Sequence, residues 1–326
     1  MGGFLLGVDI GGTKCALVLA SAEGQLLRRE ALPTNTHQPP LETLRQLAAL
    51  ARERFSPSHL AELLAIGISC GGPLDSQRGL ILSPPNLPGW DEVPITDFFS
   101  RTFGVPAALQ NDANAGALAE WRFGAGRGTR NMVFLTFGTG LGAGLILNGE
   151  LYSGTNDLAG ELGHIRLAEE GPLAFGKHGS FEGFCSGAGI RLLGQAAVKA
   201  AWQKNQAPTW CRTEKELAEL TTKHLAHHAA NGDALAQSVF AESGRRLGQG
   251  LSIVIDLLNP QRIIIGSVFA RCESLIAPAA QAVIAREALP GAAAACEIVP
   301  AALGETIGDY AAIGVAQLAL KQAQRL

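Results

Sequence analysis

Two glycine-punctuated segments, far apart in the chain and alike in their surroundings, restrict the fold more than any other feature. The first, Asp9-Ile10-Gly11-Gly12-Thr13-Lys14, is flanked by apolar runs at 5–9 and 15–20, and a turn at Ala22-Glu23-Gly24 then allows a returning strand over 25–30. The second, Gly138-Thr139-Gly140-Leu141-Gly142-Ala143-Gly144, stands among apolar runs at 132–137 and 143–147. Asn148-Gly149 supplies a hairpin turn, and a strand over 150–152 lies beyond it. Two such meanders predict an internal duplication.

The remaining signals alternate. Spacing predicts a helix over 40–54, a strand over 63–69, a helix over 94–103, a strand over 105–110, and a helix over 112–123 closed by Gly124. Helices are then expected over 181–202, 214–228 and 233–258, the last interrupted by glycines. A strand over 262–265, a helix over 273–286, a strand over 295–299 and a helix over 309–324 complete the pattern. This alternation predicts an α/β protein of two related lobes with a cleft between them. Residues 1–125, completed by the helix 309–326, are the expected smaller lobe; residues 126–308 are the larger one, and the Gly- and Arg-rich stretch 124–130 is the expected hinge.

Composition narrows the partners. With 47% hydrophobic and 17% charged residues, a chain of 326 residues can bury two cores and is not disordered. A net charge of −3 without a basic run argues against nucleic acid. Cys15, Cys70, Cys185, Cys211, Cys272 and Cys296 show no CxxC spacing, which suits a reducing compartment and buried small side chains. Asp9 interrupts the apolar stretch after Met1 too early for a signal peptide or a membrane span, so a cytoplasmic protein with no membrane partner is expected.

The glycine segments suit phosphate. Gly11 and Gly12 let backbone amides approach a polyphosphate, Thr13 and Lys14 add donors, and Asp9 offers a ligand for Mg²⁺, directly or through water. Gly138, Gly140 and Ala143 match a dinucleotide fingerprint, but a strand and hairpin turn follow where that fingerprint needs a helix. No GxxxxGK[ST] loop occurs. Two glycine hairpins gripping one nucleotide fit an actin-like ATPase (ribonuclease H-like) architecture instead.

Asp9 to Lys14, Gln110-Asn111-Asp112-Ala113-Asn114, and the stretch from Leu135 through Gly144 to Gly160-Glu161-Leu162-Gly163-His164 resemble, in order and spacing, the ROK family of ATP-dependent sugar kinases. The resemblance implies an actin-like fold and Asp112 as the general base for the sugar's primary hydroxyl. Following a strand and opening a helix, this carboxylate is expected to stay ionised at neutral pH; its alternative role is an N-cap. The same resemblance assigns Asn86, Asn111, Glu161, His164 and Glu182 to the sugar hydroxyls, although Glu182 also reads as an ordinary first-turn acid. Thr139, with Gly138 and Gly140, belongs to the implied nucleotide hairpin. Gly187 and Gly266 lie either near the nucleotide or in plain turns.

What the resemblance implies overall is transfer from ATP, with Mg²⁺, to the 6-hydroxyl of a hexose. Glucose is the expected sugar, an N-acetylhexosamine or fructose the alternatives, and a homodimer the expected assembly. The family's repressors carry an N-terminal helix-turn-helix, for which the segment before Phe4 leaves no room, so the other class to weigh is a non-catalytic sugar sensor. One departure stands out. Many members carry a CxCGxxGC zinc motif, and here Leu173, Phe175 and Ser180 occupy the three cysteine positions while Gly176 and Gly179 remain. Zinc is therefore not expected, and apolar packing of Leu173 and Phe175 is expected to hold the loop.

Overall fold

The apolar runs around the first glycine turn form an antiparallel meander, β1 (Phe4–Ile10), β2 (Lys14–Ser21) and β3 (Leu26–Pro33). β1 and β2 are buried almost continuously because both sheet faces are covered, whereas β3 alternates as an edge strand does. The computed structural model describes residues 2–325; Met1 and Leu326, the outer limits of the expected lobes, lie outside the described residues. α1 (Pro40–Arg54) and α2 (Pro57–Ala61) carry the chain to β4 (Leu63–Cys70), parallel to β1. β5 (Leu74–Asp75), β6 (Leu80–Ile81) and β7 (Val93–Pro94) make a small sheet too short to leave a periodic signal. α3 (Ile95–Phe103) leads to β8 (Ala107–Asn111), which completes the order β3-β2-β1-β4-β8, and α4 (Asp112–Phe123) follows.

The sequence of events then recurs. After β9 (Met132–Leu135) comes the hairpin of β10 (Ala143–Leu147) and β11 (Glu150–Tyr152), turned by Asn148 and Gly149, both at positive φ. A second hairpin, β12 (Leu173–Ala174) with β13 (Lys177–His178), precedes α5 (Phe181–Phe184), α6 (Gly187–Gln203), α7 (Glu214–Ala218), α8 (Thr222–Ala230) and α9 (Ala234–Leu258). β14 (Arg262–Ile265) lies parallel to β9; after α10 (Val268–Glu287) and α11 (Pro290–Ala294), β15 (Glu297–Pro300) lies parallel to β14. α12 (Ile307–Ala323) ends the pattern.

The chain divides into two compact units, Met1–Gly128 with Gly144–Ala159 and Ala302–Leu326, and Thr129–Ala143 with Gly160–Ala301. Segment Gly144–Ala159, which a boundary at 125/126 would place in the larger lobe, groups with the first unit. Gly144 explains this: a Cβ there would lie 2.4 Å from the Ala113 carbonyl of α4, so the hairpin strand presses directly on that helix. α12 covers β1 and β4 in the same unit, and its backbone lies so close to the sheet that a Cβ on Gly67 would meet Ala312 O and Ala316 N at 2.1 Å.

In the second unit α9 is one continuous helix, against the expectation of glycine breaks. Its glycines admit α10: a Cβ on Gly244 or Gly248 would come within 2.4 or 2.6 Å of the Ile276 or Ala280 carbonyl. α10 is long and apolar enough to cross a membrane, and this seat against α9 accounts for its apolar length as that of a core helix. The helices expected over 181–202 and 214–228 are each broken in two. Ser186 caps Gly189 N–H at 2.9 Å and Thr221 caps His224 N–H at 3.1 Å, starting new helices where the apolar spacing runs on unbroken.

Candidate active site

In the first unit β1, β4 and β8 end level, Ile10 pairing with Cys70 and Cys70 with Asn111. Ligand sites of α/β sheets lie at such carboxyl ends. Asp9, the glycine turn and the Asn111-Asp112 pair therefore share one edge of the sheet. The turn is fastened by Thr34, whose hydroxyl donates to Gly11 O at 2.6 Å and whose N–H donates to Thr13 O at 2.9 Å. Thr13 and Lys14 project into solvent. Asn86 is exposed just ahead of buried Leu87 and Trp90, which anchor its loop in the core, and Gly12 packs against it. A Cβ on Gly12 would fall 2.5 Å from Asn86 O, so turn and loop are positioned together.

Asn111, not Asp112, caps α4: its Oδ1 accepts the Asn114 N–H at 2.8 Å. Asp112 is thereby released from capping, and its Oδ1 accepts only a local bond from Ala113 N–H at 2.9 Å. Solvent reaches this side chain, yet protein crowds around it, and desolvation pushes its carboxyl above the ordinary range against the opposing backbone hydrogen bonds. The sequence reading of an ionised helix-start carboxylate took in the helix end alone; the surrounding protein acts on it in the opposite sense. Asp9 is also pushed up, to about 6, by burial and by the like charges of Asp309 and Asp112, with Lys14 and Arg29 opposing. Asp309, held by Arg29 at 2.9 Å, went unread because α12 brings it to β1 from the far end of the sequence.

The second unit has its own carboxyl edge. Gly266 N–H donates to Leu135 O at 2.9 Å and Val268 N–H to Phe137 O at 3.0 Å, setting the turn after β14 beside the second glycine segment. Gly187 N–H donates to Gly138 O at 2.7 Å, so Gly187 adjoins Gly138-Thr139-Gly140, while Gly266 adjoins Leu135 just ahead of it. Ser267, at φ 53 with Oγ beside Gly138, joins them. Glu182 Oε2 accepts Leu141 N–H at 2.8 Å, which ties this acid to the glycine segment.

Glu161 and His164 lie on the adjoining turn, joined to the same segment by Ala143 N–H donating to Gly160 O at 3.0 Å. Their side chains are half exposed, with Nε2 and Oε2 3.8 Å apart. Cys185 is fully buried against Ser243 O, and burial raises its thiol, so it is a packing residue.

The loop in place of the cysteine motif is held otherwise than expected. Leu173 and Phe175 are 53% and 76% exposed and pack no core. Hydrogen bonds shape the loop instead: Leu167 and Ala168 N–H both reach Gly179 O, Gly179 N–H reaches Pro172 O, and His178 Nδ1 bonds Gly171 O at 2.9 Å. A two-residue hairpin turns its middle residues outward, so apolar composition there does not become burial.

The ROK family pattern matches residues 5–322. The chain is 34% identical over 271 residues to the glucokinase of Streptomyces coelicolor, covering 81% of each. A ROK family glucokinase from Streptomyces griseus, solved in complex with glucose and AMPPNP, superposes with a TM-score of 0.72 at 29% identity, covering 98% of this chain and 100% of that one. A ROK family transcriptional regulator, a homologue of the E. coli MLC protein, superposes with a TM-score of 0.82 at 27% identity, covering 98% of this chain and 79% of its own.

Proposed function

The chain belongs to the ROK family, and from that membership we propose that it is a cytoplasmic hexose kinase that transfers the terminal phosphoryl group of ATP to the 6-hydroxyl of glucose. Asp112 carries the reading: a recessed carboxylate released from capping, on the sheet edge that also bears Asp9 and the first glycine turn. Its raised pKa brings it toward neutrality, where a general base works best. Asp112 takes the proton of the primary hydroxyl as that oxygen bonds to phosphorus and the bond to the ADP oxygen breaks. Asn86, Asn111, Glu161, His164 and Glu182 hydrogen-bond the sugar hydroxyls, and both glycine segments face the phosphates.

Asp9 suits Mg²⁺, because burial and two neighbouring carboxylates leave it in need of positive charge. Among the described residues no three His, Cys, Asp or Glu side chains gather as a metal cage, but Mg²⁺ takes only one or two carboxylates besides phosphates and water. When bound, the ion would neutralise charge on the transferring phosphoryl group. Similarity to the regulator supports a second reading, a sensor that binds sugar without turnover. Measuring ATP consumption against glucose, fructose and N-acetylhexosamines decides between them: sugar-dependent ADP release supports a kinase, and binding without release supports a sensor.

Gly138 permits a clean test of the nucleotide hairpin. A Cβ there would meet Thr136 O at 3.6 Å and Ser267 Oγ at 3.7 Å, ordinary contacts, so Gly138→Ala is expected to leave stability unchanged. Loss of ATP affinity by about tenfold or more is expected because the methyl group stands where phosphate approaches. Unchanged ATP affinity would refute the two-hairpin grip.

Zinc does not fit the loop, since Leu173, Phe175 and Ser180 supply no thiolates. Elemental analysis should find well below one zinc per chain, and a zinc-selective chelator should spare activity; stoichiometric zinc whose removal abolishes activity would contradict this. The chain is further expected to pair as a homodimer, which light scattering at micromolar concentration would disprove by showing only monomer.

A further inference from the structure

Phe175 occupies a costly position with no burial to offset it. It and Gly176 are the two central residues of the β12–β13 hairpin, at φ 47 and 67. Such a turn favours Asn-Gly or Gly-Gly, and a bulky side chain at positive φ is strained. Phe175 is also 76% exposed, so core packing does not account for it. Its ring meets the His164 imidazole, with centroids 5.0 Å apart and planes at 48°. The hairpin holds the same residue a second time, Lys177 Nζ donating to His164 O at 2.6 Å. Glu161 Oε2 stands 3.8 Å from His164 Nε2.

We propose that Phe175 is a positioning residue for sugar binding: an aromatic ring, where the family's zinc-motif pattern has a cysteine, orients the His164 imidazole toward the substrate. Aromatic pairs prefer tilted geometries, and a ring contact on one side with a carboxylate near the edge narrows the orientations open to an exposed imidazole. Half-exposed, His164 would otherwise sample several rotamers and lose that freedom only when sugar binds. The inference rests on the reading of His164 as a sugar contact.

Phe175→Gly separates positioning from structural support, because glycine is at ease at this φ. It is expected to keep or raise Tm, leave the KM for ATP and kcat near wild type, and raise the KM for glucose about tenfold. The His164 ring-proton NMR resonances should lose the ring-current shift that Phe175 imposes, and Phe175→Tyr should restore both the shift and a KM within about twofold of wild type. His164→Ala distinguishes the two levels of failure. If it leaves the glucose KM unchanged, the sugar-contact reading falls and this inference with it. If it raises that KM while Phe175→Gly does not, the inference alone is overturned.

Discussion

Asp112→Asn is expected to lower kcat by at least about 10²-fold while leaving the fold and glucose affinity nearly unchanged, since it removes proton acceptance alone. The amide oxygen can still accept the Ala113 N–H, and the helix keeps its cap on Asn111, so neither local bond is lost. Removing a carboxylate that burial already disfavours should not weaken the fold. In the wild type, kcat/KM should fall on the acid side along a limb lying above the ordinary carboxylate range, because the base must be ionised to accept a proton. The residual activity of the variant should lack that limb. Turnover near wild type, with glucose binding measured by calorimetry and melting measured alongside, would overturn the base assignment.

Asp9→Asn is expected to change stability and activity in opposite directions. In the free, Mg²⁺-less protein Asp9 holds its proton up to about 6, whereas the unfolded chain releases it near 3.8. The unfolded state thus binds fewer protons between these values, and stability falls as pH rises from about 4 to about 6, then levels off. A displacement of this size corresponds to about 3 kcal/mol at most. At pH 7.5 without metal, Asp9→Asn should therefore raise Tm and flatten the decline between pH 4 and 6. Activity should drop by at least about 10²-fold, as expected when a phosphate-neutralising centre loses its anchor. A variant that melts earlier than wild type in EDTA, or that keeps wild-type turnover at limiting Mg²⁺, would contradict this account.

Both predictions concern residues legible as motif members, and what the sequence left hidden follows a physical pattern. α1 and β10 were readable to their ends because helical spacing, alternation and turn residues coincide there. The breaks before Ser186 and Thr221 were not, since side-chain caps start new helices without disturbing apolar spacing. Glycines in α9 read as interruptions because propensity is local, while their need comes from the approach of α10. Asp9 and Asp112 were found as residues, but their raised pKa values depend on burial, and that of Asp9 also on Asp309, which only the fold brings near. Leu173 and Phe175 were misread for the same reason: apolar character does not say which way a short hairpin faces.

The seating of α12 on Gly67 has a consequence for how the protein is made. A ribosome releases β1, β4 and β8 before the second unit, but the helix that covers them emerges only after it. Until then an apolar face stays open to solvent and to other nascent chains. The span Gly160–Ala301 meets no such delay in gathering its own helices. Vectorial synthesis therefore reverses the order of maturation: of the two units, the one begun first closes second, and chaperone demand falls on its open sheet.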